Sequence, residues 1–155
     1  MFLTVHATAA IVITQGIQNP IIAFIIGFIS HYFTDIIPHG DEQMFDKYNE
    51  KQKIAVLAVM AMVDFVVLFF WLNFLLWQNK LPNLEINLVA ILASTLPDFI
   101  NGIYLITKAK FLKPMFDFHF WVHFVLQKKP VAVWLGLSCQ TLFFAGLIAI
   151  LFLKF

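Results

Sequence analysis

Between positions 27 and 42 the chain reads GFISHYFTDIIPHGDE, an apolar stretch that carries two imidazoles and a carboxylate at a fixed interval. His31, Asp35 and His39 are spaced i, i+4, i+8, so on a helix each lies one turn above the last along a single stripe. Ionisable groups are costly in hydrocarbon and face a bundle interior or a wet cavity, which makes this stripe a candidate site rather than a lipid-facing surface. Neutral imidazole and carboxylate are the ligands that bind zinc, manganese and ferrous iron. His119 and His123 repeat the i, i+4 spacing, a common way for one helix to hold an ion with two imidazoles.

Adding His6 and Asp98, the candidate ligands are His6, His31, Asp35, His39, Asp98, His119 and His123. That is more than the three or four protein ligands one ion takes. The expected cofactor is therefore a divalent metal, zinc first with manganese or iron as alternatives, in a centre of two or more ions bridged by Asp35 or Asp98. Such centres lower the pKa of a water and clamp a phosphoryl group from both sides. The candidate catalytic carboxylates are Asp35, Asp64 and Asp98, acting as general base or as orienters of the histidines.

The elements that must position these groups are membrane helices. Of 155 residues 61% are hydrophobic, 12% are charged and nineteen are Phe, far from the balance of a water-soluble domain. The expected fold class is all-α, a polytopic helical membrane bundle of four to five transmembrane segments plus an interfacial helix, in one domain spanning 1–155. Helices are predicted over 2–18, broken at Gln18-Asn19-Pro20; over 20–37, ended by Pro38-His39-Gly40; over 54–77, with Asp64 in the middle; and over 84–107, kinked by Pro97. Residues 108–130, with FDFHFWVHF between lysines, predict a helix lying at the interface, and 131–155 a last span. A cleaved signal peptide is not expected, because the first residues lack a basic stretch and His6 interrupts the apolar run. The single cysteine, Cys139, excludes an internal disulfide and a thiolate cluster.

If five segments cross in turn, Lys47, Lys51, Lys53, Lys108, Lys110, Lys113, Lys128 and Lys129 share a face with the N-terminus, leaving Lys80 and Lys154 on the other. The positive-inside rule then makes the first face cytoplasmic. That topology, drawn without the histidines, places all five of them in one half of the bilayer. His31, Asp64 and Asp98 fall about 10–16 Å below the cytoplasmic face.

Each residue also has a plain structural alternative. His6 could be a hydrogen-bonded interfacial residue, His39 a solvated helix end, and Asp117 a cap for the helix bearing His119. Asp64 could be a hydrogen-bond partner inside the bundle. Asp41, Glu42, Asp46 and Glu50 read as a solvated loop, with Asp41 near enough to be a rim ligand. The joint pattern favours a metal site over scattered polarity.

GFISHYFTDIIPHGD, the early His6, Leu96-Pro97-Asp98 and the His119/His123 pair together resemble the small bacterial inner-membrane proteins known as membrane-bound metal-dependent hydrolases, of the LexA-regulated type. The resemblance implies ligand roles for His6, His31, Asp35, Asp98, His119 and His123. The order differs, since here the His-x-x-x-Asp helix precedes the Leu-Pro-Asp segment, and Phe99-Ile100 stands where the family has Asp-His. The array is more faintly similar to the His-x-x-x-Asp helices of zinc-dependent phospholipase C.

The expected function is hydrolysis of an ester or phosphoester, with a membrane lipid as the favoured substrate. The alternatives are an ion- or proton-handling membrane protein, a bis-histidine haem bundle, and a non-catalytic metal-binding membrane adaptor. No arginine and no basic stripe with stacking aromatics occur, so a nucleic-acid partner is not expected. Assembly into a homo-oligomer stays open.

Overall fold

The computed structural model describes residues 1–40, 44, 47–125 and 131–154. Among them the chain is helical throughout, with α1 at Leu3–Ile13, α2 at Pro20–Asp35, α3 at Glu50–Trp77, α4 at Leu84–Thr107, α5 at Lys113–His123 and α6 at Val133–Leu153. A single 3-10 turn, Lys110–Leu112, joins α4 to α5. Three helices, α3, α4 and α6, are long and apolar enough to cross a membrane. At about 1.5 Å per residue α1 rises only about 16 Å and α2 about 24 Å, against a hydrocarbon core of about 30 Å.

The boundaries follow from local chemistry, and several differ from the sequence expectation. The first helix stops at Ile13 rather than reaching residue 18: Thr14 bonds back to the Ala10 carbonyl at 2.7 Å, and Gly16 takes φ +82°. Asn19 then caps α2 by accepting from the Ile21 and Ile22 amides, with Pro20 at the start of the helix. α2 closes at Asp35, two residues before the expected end. α3 begins at Glu50 because Asn49 and Gln52 form a reciprocal capping box. α4 has the expected bounds, holds Pro97 inside, and ends where Lys108 turns left-handed. The expected long interfacial segment is shorter, an eleven-residue helix, and positions 126–130 lie outside the described residues.

α1 is the axis of the bundle. Its residues from Leu3 to Ile11 are all buried, because α2, α3, α4 and α6 surround it. The most extensive helix pairing is α2 on α4. Small residues permit it: a Cβ on Gly27 would fall 2.6 Å from the Ala90 carbonyl oxygen, so the two backbones meet at that point. Ala10, Ala23, Ile86 and Ala90 form the apolar cluster around this crossing. By contrast α3 is bare over most of its circumference, exposing Val59, Val63, Phe65, Val67 and Phe70, which matches a helix facing lipid.

Candidate metal centre

The closeness of α2 to α4 decides where the stripe on α2 points. His31 and Asp35 follow Gly27 at four-residue steps, so the face that meets α4 at Gly27 carries both inward. His31 is fully buried and Asp35 is 1% exposed. His6 enters the same space from the middle of α1, and Asp98 from the turn of α4 that follows Pro97. His119 and His123 enter from α5.

His39 lies past the end of α2 and is held by a separate close approach. Gly40, at φ +77°, and the His39 backbone rest directly on Gly136 of α6, where any Cβ would collide with the His39 carbonyl carbon and oxygen and the Gly40 nitrogen. The rings form a continuous cluster: His6 stacks on His31 at 4.2 Å between centroids, and His119 lies 4.9 Å from both His31 and His123. His39 lies 4.7 Å from His123.

Asp35 is the hub. Its Oδ2 lies 3.1 Å from His31 Nε2, 3.2 Å from His119 Nε2 and 3.4 Å from His123 Nε2. Its Oδ1 lies 3.2 Å from His6 Nε2, 3.9 Å from His39 Nε2 and 3.1 Å from the amino group of Met1. Asp98 stands further off, Oδ1 being 3.8 Å from the Nε2 atoms of His31 and His119 and Oδ2 3.9 Å from that of His6. Two sets of side chains bring one ligand atom each within 4.8 Å of one another: His31, Asp35, Asp98 and His119, and also Asp35, His39 and His123.

The ring tautomers can be derived from the outer partners. His31 Nδ1 lies 2.7 Å from the Ser94 carbonyl, which can only accept, so Nδ1 carries the hydrogen and a neutral ring has its lone pair on Nε2. His39 Nδ1 faces the Ile37 carbonyl at 2.8 Å, with the same consequence. For His6 the partner is the Thr34 hydroxyl at 2.7 Å; that hydroxyl lies 2.7 Å from the His31 carbonyl, donates to it, and so accepts from His6 Nδ1. When neutral, His6, His31 and His39 thus turn Nε2 lone pairs toward the Asp35 carboxylate, whose Oδ1 also accepts from the Met1 ammonium. His6 Nε2 and Asp35 Oδ2 are buried with no hydrogen-bond partner among the described residues.

Acceptor facing acceptor is unfavourable unless a cation lies between. A proton could join one such pair; at Oδ2 the Nε2 atoms are those of His31, His119 and His123. Ligands bonded to one tetrahedral ion at about 2.0–2.1 Å are about 3.3 Å apart, which is close to the Oδ2 separations of His31 and His119 in the first set and of His123 in the second. Burial also holds the His119 imidazole below its ordinary pKa, favouring the neutral, ligating form. The cluster could therefore hold a metal ion.

Asp64 occupies a different place. It receives the Leu3 and Thr4 amides and, at 2.6 Å, the Thr4 hydroxyl, which satisfies the otherwise unpaired N-terminus of α1. Asp117 is paired with Lys113 at 2.6 Å inside α5 and does not cap it, because the helix begins only four residues earlier with Pro114 in its first turn. Glu50 is exposed and lies 3.4 Å from Lys53. Asp41, Glu42 and Asp46 lie outside the described residues.

Three contributors escape a reading by residue type: the Ser94 carbonyl, the Thr34 hydroxyl and Gly136. Thr34, adjacent to Asp35 and three residues after His31, had the one available signal, a polar side chain on the inner face of an apolar helix. Compared with known proteins, the chain matches no family model, no curated protein and no solved structure.

Proposed function

We propose that this protein is a membrane-embedded, metal-dependent hydrolase that acts on an ester or phosphoester bond, with a membrane lipid as substrate. The observation that carries the reading is the meeting of imidazole Nε2 atoms from three helices on the two oxygens of Asp35, deep in an apolar bundle. A buried polar cluster of this kind costs stability unless it has a task, and a bound cation removes the cost.

His31, Asp35, Asp98 and His119 would hold one ion, and Asp35, His39 and His123 a second, with Asp35 shared between them. Zinc suits this imidazole-rich, carboxylate-poor set best. When bound, the ions supply a water of lowered pKa and positive charge for the developing oxyanion. Ser94, Thr34 and the Ile37 carbonyl fix the ring orientations. Asp98 has the longer contacts and a side chain 28% exposed, where Asp35 is enclosed, so it marks the open side of the centre, from which a substrate would approach.

In the membrane, α1 and α2 join α3, α4 and α6 as the inner segments of the bundle, with the N-terminus on the cytoplasmic side. Three polar side chains beyond the cluster are engaged locally: Asn73 and Asn87 donate to carbonyls one turn earlier, and Asn19 caps α2. That favours a closed site over a permeation path. The test is a panel of lipid and water-soluble phosphoesters and carboxylic esters offered to purified protein with zinc or manganese. Turnover that disappears in Asp35→Ala is expected; no turnover on any member would sink the reading.

A further inference from the structure

The residue that supplies the hub of the metal cluster also ends a helix whose outer side is a ridge between two apolar grooves. One groove, about 450 Å³, runs between α2 and α5 and is walled by Phe28, Tyr32 and Ile36 against Phe118, Trp121 and Val125. The other, about 540 Å³, runs between α2 and the α1/α6 pair, walled by Val12, Ile26, Ile37, Phe143 and Leu147. Ile29 and Phe33 form the shared ridge and border both. The polar side chains in the second wall are turned away, Ser30 bonding to the Gly27 carbonyl at 2.7 Å and Thr34 to that of His31. Both walls are thus apolar.

Their length is informative. From Ile26 to its end at Asp35, α2 rises about 14 Å, close to the half-thickness of a hydrocarbon core of about 30 Å, so each groove spans about one leaflet. Both grooves run to the last turn of α2, whose inward face carries Asp35; no cluster residue lines either wall. Tyr32 packs edge-on against His31 at 5.2 Å and against Phe118 at 5.0 Å, and Ile37 belongs to the second wall one residue after its own neighbour Ile36 in the first.

From this arrangement, and resting on the hydrolase reading, we infer that the substrate is a two-chain lipid straddling α2. One acyl chain lies in each groove, and the ester and phosphate region stands over the His/Asp cluster. Paired apolar channels separated by one helix match two chains joined at a common backbone. A cation-binding cluster at their shared head matches an anionic phosphoester. A single-chain amphiphile would fill one groove and leave the other empty, and a soluble ester would need neither.

Photocrosslinking tests this directly. The purified protein in detergent micelles is given a diacyl phosphatidylcholine bearing a diazirine on its acyl chain, and adducts are mapped by mass spectrometry. Adducts are expected on both flanks of α2, near Trp121 on one and Phe143 on the other, in excess over the bare lipid-facing side of α3 at Val59, Val63 and Val67. Excess unlabelled diacyl lipid should displace them and a single-chain lysolipid should not. In Ile29→Trp, which narrows both grooves from the exposed ridge between them, both sets of adducts should be lost. Adducts spread evenly over α2 and α3, or displaced equally by the lysolipid, would overturn the inference. Metal analysis of the same sample separates the two levels: retained metal with even labelling removes only the two-chain lipid, and absence of metal removes the hydrolase reading itself.

Discussion

His31 Nδ1 donates to the Ser94 carbonyl across the α2/α4 contact at 2.7 Å, and so turns its Nε2 toward Asp35. Ser94 lies three residues before Pro97, whose missing N–H would have paired with the Ala93 carbonyl, so the acceptor of His31 is next to the carbonyl that the proline frees. The Gly27/Ala90 approach one turn earlier on α2 sets the distance at which that bond forms.

If that approach is the spacer, enlarging it should disturb the centre from a distance. Gly27→Ala puts a Cβ 2.6 Å from the Ala90 oxygen, and the helices must part. A loss of about 1–3 kcal/mol in stability is expected, read as a lower Tm in detergent. Metal content should fall with it, although no ligand has been touched.

Gly136→Ala should act on His39 alone, by pushing the backbone at residues 39–40 off α6. Metal bound per chain is expected to fall while His31, Asp35, Asp98 and His119 keep theirs. Gly146→Ala on the same helix has nothing within 4 Å of the new Cβ and should leave both metal content and Tm unchanged. Equal behaviour of the two variants would contradict the seat assigned to His39.

Asp64→Ala separates capping from catalysis. It leaves the amides of Leu3 and Thr4 without their acceptor in a buried position, a change worth about 1–3 kcal/mol. Thermal stability should drop, while the metal retained per folded chain and the turnover of the surviving protein stay near those of the parent. Loss of turnover with stability and metal intact would instead place Asp64 in the reaction.

Much of this centre was legible before any coordinates. His31 and Asp35 on α2 meet the pair on α5, because helical spacing fixes which side chains share a face, whereas the expected third member of the stripe, His39, lies beyond the helix end and is seated by Gly136 instead. Helix ends were less legible where a single side chain decided them: the Asn49/Gln52 capping box drew α3 back to Glu50, and Thr14 with Gly16 cut α1 short at Ile13. Asp64 has the same chemical type as Asp35, and only the three-dimensional position of the α1 N-terminus distinguishes a cap from a ligand. Nor could the sequence rank Asp35 above Asp98, since that depends on how closely α1, α2 and α5 converge.

The most direct measurement is elemental analysis of the purified protein, as wild type and as His31→Ala and Asp35→Ala, after dialysis against metal-free buffer. The wild type should retain at least one equivalent of a divalent transition metal per chain, and Asp35→Ala, which removes the shared ligand, should retain least. Equal metal in all three, or none in the wild type after growth with zinc, manganese and iron supplied, would contradict a metal centre built on Asp35.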